Sequence, residues 1–349
     1  MLLTLNTTSL RSLLAPKRGK PTLSLLDVPA FTRETLGLHG LNVTTDLLKG
    51  ADRAKLAEFR DRADQAACAC LLLIEPTPQP FAAHNEDKGE QAIIRTERVI
   101  EAAHILGCNA ASISLSGQDD DEAFSLAVDR LQIAIEAAER RELNLLISPG
   151  DGITSEPDKV TELIKRVGRF RLMTFPDFAT AAASGDAEAY LKRLTPYAGA
   201  VNASLIDFEV VESDDSELEK AAEMALEELA AEFAAATSKA VATDNGDAGS
   251  DGTSKAKSDG KPDAEPSADV AGDKKADGDD DEPIDPFAVL QSEHVEHLAF
   301  PIAPMIETIK SVGFDGSLAI EYRGKEDPVI GVAHAKAALE AAIELAEQG

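Results

Sequence analysis

Gly313-Phe314-Asp315-Gly316-Ser317-Leu318-Ala319-Ile320-Glu321-Tyr322-Arg323-Gly324 reads as a helix end, a glycine-containing turn and a short apolar strand that stops on a carboxylate. Glycine suits the turn because it closes a helix without a Cβ penalty. Three earlier segments repeat the plan of an apolar strand with a polar residue just past it. They are Leu145-Leu146-Ile147-Ser148, Leu172-Met173-Thr174-Phe175-Pro176-Asp177 and Ala200-Val201-Asn202. A site assembled from the ends of several strands points to a barrel.

Working outward, helix-like and strand-like segments alternate from Leu23 onward. Residues 29–37 predict a short helix, 41–44 a strand, 51–66 an amphipathic helix and 67–74 a strand covered on both faces. Glu75-Pro76 ends that strand. The cycle repeats with helices at 89–106, 120–141, 156–167 and 185–196, and strands at 110–115, 143–147, 170–174 and 200–206. A helix at 303–312, a strand at 317–321 and a helix at 332–346 close the chain. The eighth strand falls at Leu2–Leu5 or at Leu23–Leu26. Eight strand–helix units favour a closed (β/α)8 TIM barrel spanning residues 1–349 as a single domain, with an open doubly wound sheet as the alternative.

Residues 239–285 break the pattern as a low-complexity acidic insertion before the last βα unit. Residues 241–285 carry 14 Asp or Glu and five Lys, and no aromatic residue. Such a segment buries too little apolar surface to offset its ordering entropy and is expected to be disordered. The Ala- and Glu-rich residues 217–238 before it are expected to be helical.

The whole chain has a formal charge of −29, which repels phosphate backbones and argues against a nucleic-acid partner. Its N-terminal apolar run is too short for a signal peptide, and no run of eighteen apolar residues suggests a membrane span. Cys68, Cys70 and Cys108 make no disulfide framework and read as small core residues, consistent with a reducing cytoplasm. No phosphate-binding loop, dinucleotide fingerprint or nucleophile elbow is present, so no nucleotide cofactor is expected.

With the strand ends placed, the chain resembles the xylose isomerase-like TIM barrels, and more narrowly the sugar phosphate isomerase/epimerase group. Phe175-Pro176-Asp177-Phe178 and Gly316 to Gly324 carry the resemblance. It implies a divalent metal (Mn, Mg or Zn) held at four strand ends by glutamate, aspartate, histidine and glutamate. It also implies proton transfer between adjacent carbons of a sugar or sugar phosphate. Carried onto this sequence, the aspartate is Asp177 and the last glutamate is Glu321, giving both as metal ligands and catalytic candidates. The first glutamate position holds Ser148, the histidine position Asn202, and a nearby lysine position Ser204. A hard cation prefers several charged oxygen or nitrogen ligands, so these departures weaken the metal set. The loss of a carboxylate at Ser148 also removes one of two bases.

Asn202, Ser148, His84, Glu75 and Arg323 are the candidate substrate contacts. Asp151, Asp207 and Glu209 are further substitutes for the missing carboxylate. Each has a plainer reading: Asp177 as a helix N-cap, Glu321 as the ion-pair partner of Arg323, and Ser148 as part of a tight loop. His294 and His297, three apart, would share a face if helical. Two functions follow: a sugar isomerase or epimerase working through an enediol, or a catalytically inactive barrel that binds a sugar or a protein.

Overall fold

The computed structural model describes residues 1–15, 21–210 and 295–348. The expected insertion at 239–285 and the expected helix at 217–238 lie outside the described residues. The strands are β1 Leu2–Asn6, β2 Gly40–Thr44, β3 Ala69–Ile74, β4 Gln79–Ala82, β5 Ala110–Gly117, β6 Asn144–Ser148, β7 Leu172–Thr174, β8 Ala200–Leu205, β9 Phe208–Val210, β10 Val295–His297 and β11 Ser317–Tyr322.

Eight of these pair in parallel in the order β7-β6-β5-β3-β2-β1-β11-β8. The ends of that series meet: Thr174 bridges Ala198 and Asp177 bridges Asn202, both in parallel. Gly199 N–H donates to the Thr174 carbonyl at 3.0 Å and Asn202 N–H to the Pro176 carbonyl at 2.8 Å, so the ring closes. This is the expected (β/α)8 barrel. Residues Leu2–Asn6 supply its remaining strand, whereas Leu25–Asp27 form a 3-10 turn, so the Leu23–Leu26 alternative is corrected. Asn6 can continue the strand because its side chain then caps the turn after it, accepting from Thr8 N. Ser24-Leu25-Leu26-Asp27 instead leads straight into a helix whose first turn holds Pro29.

Helices follow the strands for local reasons. Asp52, Asn85, Asp120, Asp177 and Asp186 each accept a backbone N–H from the first turn of the helix they precede. Such caps contribute about 1 kcal/mol each. Gly107 and Gly168 close helices in the left-handed conformation, at φ 78° and 66°.

Two buried apolar clusters reveal which side chains face where. The large one joins strands to helices and includes Leu3, Leu5, Val201, Ala203, Leu205, Leu318, Ile320 and Tyr322. The small one is Leu72, Ala110, Leu146, Phe175, Ala200 and Ala319, with Ile74 and Met173 packed on it. Its members come from six staves of the barrel, so it is the barrel interior. Strand side chains alternate. Ala200 inside therefore puts Asn202 and Ser204 inside, and Ala319 does the same for Glu321. Phe175 puts Asp177 inside, and the outward Leu3 and Leu5 put Thr4 and Asn6 inside.

Candidate functional site at the barrel mouth

The inward residues at the C-terminal strand ends form one hydrogen-bonded group. Glu321 ends β11 and is 8% exposed. Its Oε2 accepts from Asn202 Nδ2 at 2.6 Å and from Arg323 Nη2 at 2.7 Å. Its Oε1 accepts from the Thr8 hydroxyl at 3.0 Å. Asn202 Nδ2 also donates to Asp177 Oδ1 at 2.8 Å, so one amide joins the two carboxylates. Asn6 Nδ2 approaches Asn202 Oδ1 at 3.4 Å, which orients that amide.

Asp177 further accepts from the Ser204 hydroxyl, and from Thr180 N and Oγ1 at 3.0 and 2.9 Å. It is thus both the helix N-cap and a member of the group. The two readings coincide because residue 177 has inward parity and also begins the helix Phe178–Ala183. The Thr8 hydroxyl lies 2.9 Å from Asn6 Oδ1 as well as near Glu321, with one proton to give.

The electrostatics follow from burial and partners. Burial pushes the Glu321 carboxyl up, but the Arg323 hydrogen bond and charge, with Asn202 and Thr8, outweigh it and hold it below its ordinary value. For Arg323, burial pulls the guanidinium down, while Glu321 and then the charge of Asp177 raise it above its ordinary value. Glu321 therefore stays an anion and Arg323 a cation.

Four of the expected site residues, Asp177, Asn202, Glu321 and Arg323, are brought together. The other three have their own partners. Glu75 is buried and paired with Arg95, with Thr45 Oγ1 at 3.0 Å and Thr77 N at 3.0 Å on its oxygens. Ile74 packs on the interior cluster, so the next residue points outward, towards the helix Glu86–Leu106 that carries Arg95. Ser148 shares a 2.7 Å hydrogen bond with Ser112 on the neighbouring strand. His84 is exposed and lies 3.1 Å from Asp120. Asp207 accepts from Tyr322 Oη and from Lys325 N, at 3.1 and 2.8 Å.

Val295–His297 is a strand, which corrects the helical reading of His294 and His297, and His294 lies outside the described residues. β10 pairs antiparallel with β9, and that pairing sets its conformation. His297 Nε2 accepts from Ile206 N at 2.9 Å and Nδ1 donates to the Phe300 carbonyl at 3.0 Å, so both ring nitrogens are committed. Asn6 and Thr8 are the members that sequence reasoning missed. Their signal was available, since Leu5-Asn6-Thr7-Thr8 is again a polar run just past an apolar strand.

A divalent metal does not fit this arrangement. The space between Asp177 and Glu321 is spanned by an amide nitrogen whose two protons are both donated, and such an atom has no lone pair for a cation. Arg323 adds a positive charge on the same carboxylate. Among the described residues, no three His, Cys, Asp or Glu side chains converge in a metal-binding group.

The closed parallel barrel defines the class of fold. The family model of xylose isomerase-like TIM barrels matches residues 34–236, and the chain belongs to that family. No curated protein matches the chain. Among solved structures it is similar to an L-ribulose 3-epimerase, at 10% identity and a TM-score of 0.63 over 100% of this chain and 96% of the other. It is also similar to D-psicose 3-epimerase with D-tagatose from Clostridium cellulolyticum H10, at 9% identity and a TM-score of 0.58 over 100% and 99%. A third is a xylose isomerase-like barrel from Mycobacterium smegmatis in complex with magnesium, at 12% identity and a TM-score of 0.57 over 98% and 96%. At these identities the likeness is one of fold. No helix among the described residues is long and apolar enough to cross a membrane.

Proposed function

We propose that the chain is a sugar isomerase or epimerase that binds a ketose, aldose or polyol, free or phosphorylated, across the mouth at Asp177, Asn202, Glu321 and Arg323. One observation carries this reading: a buried inward carboxylate, Glu321, bracketed by an amide, a guanidinium and a hydroxyl. Those groups offer donors and acceptors that match the hydroxyls of a polyol. The sugar epimerases among the structures of like fold support the substrate class.

Moving a proton between adjacent carbons through an enediol needs a base near the carbon and donors on the developing oxyanion. Glu321 is the base: it takes the proton from the carbon beside the carbonyl and returns it to the neighbouring carbon, while the hydroxyl proton passes to the former carbonyl oxygen. Arg323 is the donor, and Asn202, with both amide protons committed, holds the two carboxylates in place. A carbonyl oxygen entering between Glu321 and Arg323 draws the guanidinium onto itself, and Glu321 then regains basicity. Asp177 holds Asn202 and accepts from a substrate hydroxyl. Ser148 and His84 contact the far end of the ligand. No step is routed through a metal, because Asn202 already closes the gap between the carboxylates.

A second reading, a barrel that binds its sugar without turning it over, is favoured by the low proton affinity of Glu321 in its present contacts. Incubating a panel of ketoses and aldoses with the protein in deuterated water separates the two. The enzyme reading expects solvent deuterium at a carbon next to a carbonyl, seen by NMR, and its loss in Glu321→Gln by about 100-fold or more, the scale of general-base catalysis. Saturable binding without exchange supports the binding protein. Absence of both across the panel contradicts the assignment of the mouth to sugars.

A further inference from the structure

We infer that Asn202 is the group that makes this mouth independent of divalent cations, and that it does so by occupying, as a hydrogen-bond donor, the position from which a cation would bridge Asp177 and Glu321. The inference rests on the assignment of the mouth as the site, but its readout is a metal ion and needs no sugar.

The argument is geometric. Nδ2 of Asn202 lies 2.8 Å from Asp177 Oδ1 and 2.6 Å from Glu321 Oε2. Two carboxylates facing one point need positive charge there. They can share protons, take up a cation or accept from donors. Here the donors are complete: Asn202 gives one proton to each carboxylate, Arg323 supplies the formal charge to Glu321, Ser204 donates to the same Asp177 oxygen as Asn202, and Thr8 and Thr180 satisfy the other oxygens. Asn6 prevents the amide from turning its oxygen inward, since a flip would set its own Nδ2 against an amide nitrogen. Asn202 is 5% exposed and bonded at both ends, so it holds this place without rearrangement.

The isosteric change Asn202→Asp therefore has a defined consequence. It replaces the donor by an oxygen anion and leaves three carboxylates around one point, at hydrogen-bond separations from one another. Three hard oxygen donors at that density are a suitable set for a divalent cation. The native residue thus suppresses a metal site that the surrounding backbone is ready to form.

The experiment uses the full chain, purified without a chelating tag, with manganese(II) chloride as the probe. Metal content by mass spectrometry and thermal unfolding with and without manganese are measured on the native protein, Asn202→Asp, and Asn202→Asp combined with Glu321→Gln. The native protein is expected to carry no stoichiometric divalent metal and to show no rise in Tm. Asn202→Asp is expected to take up one ion per chain and gain about 5 °C or more at saturating metal. The added Glu321→Gln is expected to abolish that gain. A native protein holding one divalent ion per chain would overturn the inference. So would a folded Asn202→Asp that ignores manganese. If Asn202→Asp folds only when manganese is present, the inference stands. If it folds under neither condition, the native protein's metal content decides.

Discussion

The two sides of the barrel mouth use the same residue types differently. On the side formed by β7, β8, β11 and β1, the polar residues Asp177, Asn202, Ser204, Glu321 and Asn6 have inward parity and, with Thr8 in the turn after β1, bond to one another. On the side formed by β3, β5 and β6, Glu75 turns outward to Arg95 and Ser148 is content with Ser112. A carboxylate at a strand end is therefore not enough to make a site. The parity of its position decides whether it faces the barrel mouth or a helix.

The largest expected effect sharpens this contrast. Asn202→Leu deprives two carboxylates of their shared donor and is expected to cost about 3–5 kcal/mol, the scale for removing one partner from a buried charge network, measured by urea unfolding. Next, Glu75→Gln is expected to cost about 1–3 kcal/mol by breaking a buried charge-assisted bond while leaving ligand affinity unchanged. Equal loss of affinity in Glu75→Gln and Glu321→Gln would erase the difference between the sides.

Gly331→Ala tests the outer wall behind the site. A Cβ there would lie 2.2 Å from the Tyr322 ring, adjacent to Glu321 in sequence. A loss of about 1–3 kcal/mol from overpacking is expected in thermal or denaturant unfolding.

The pH response of Glu321 follows from its lowered proton affinity. Its contribution to stability is complete above the unfolded-state value near 4.5 and is lost as pH falls through the lower folded-state value. Glu321→Gln should therefore flatten the acid limb of the stability–pH curve below about pH 4.5 relative to the native protein. The smallest effect is Ser148→Ala, expected within about 1 kcal/mol for one neutral hydrogen bond.

Much of the barrel was legible because its strands are short apolar runs between amphipathic helices. Strands such as Ala69–Ile74 are apolar on both faces, however, so nothing in them states which residues point inward. That is why Glu75 was grouped with Glu321 in the sequence and why the cluster around Leu72 and Ile74 was needed to separate them. Leu146 in the same cluster gives Ser148 inward parity, and only its bond to Ser112 sets it apart. β4 escaped notice because it has four residues and contains Pro80, and β9 and β10 because each has three. Asp177, Asn202 and Glu321 could be placed in advance because each follows an apolar run directly. Asn6 and Thr8 carry the same signal after Leu5 but were passed over, because two segments competed for the remaining strand.

The most direct test compares one residue from each side. Binding of a panel of ketoses, aldoses and their phosphate esters is measured by titration calorimetry on the native protein, Glu321→Gln and Glu75→Gln. A sugar that binds the native protein and Glu75→Gln alike, but binds Glu321→Gln at least about tenfold more weakly, a loss of about 1.4 kcal/mol, is the predicted result. A sugar whose affinity depends on Glu75 and not on Glu321 would contradict the account.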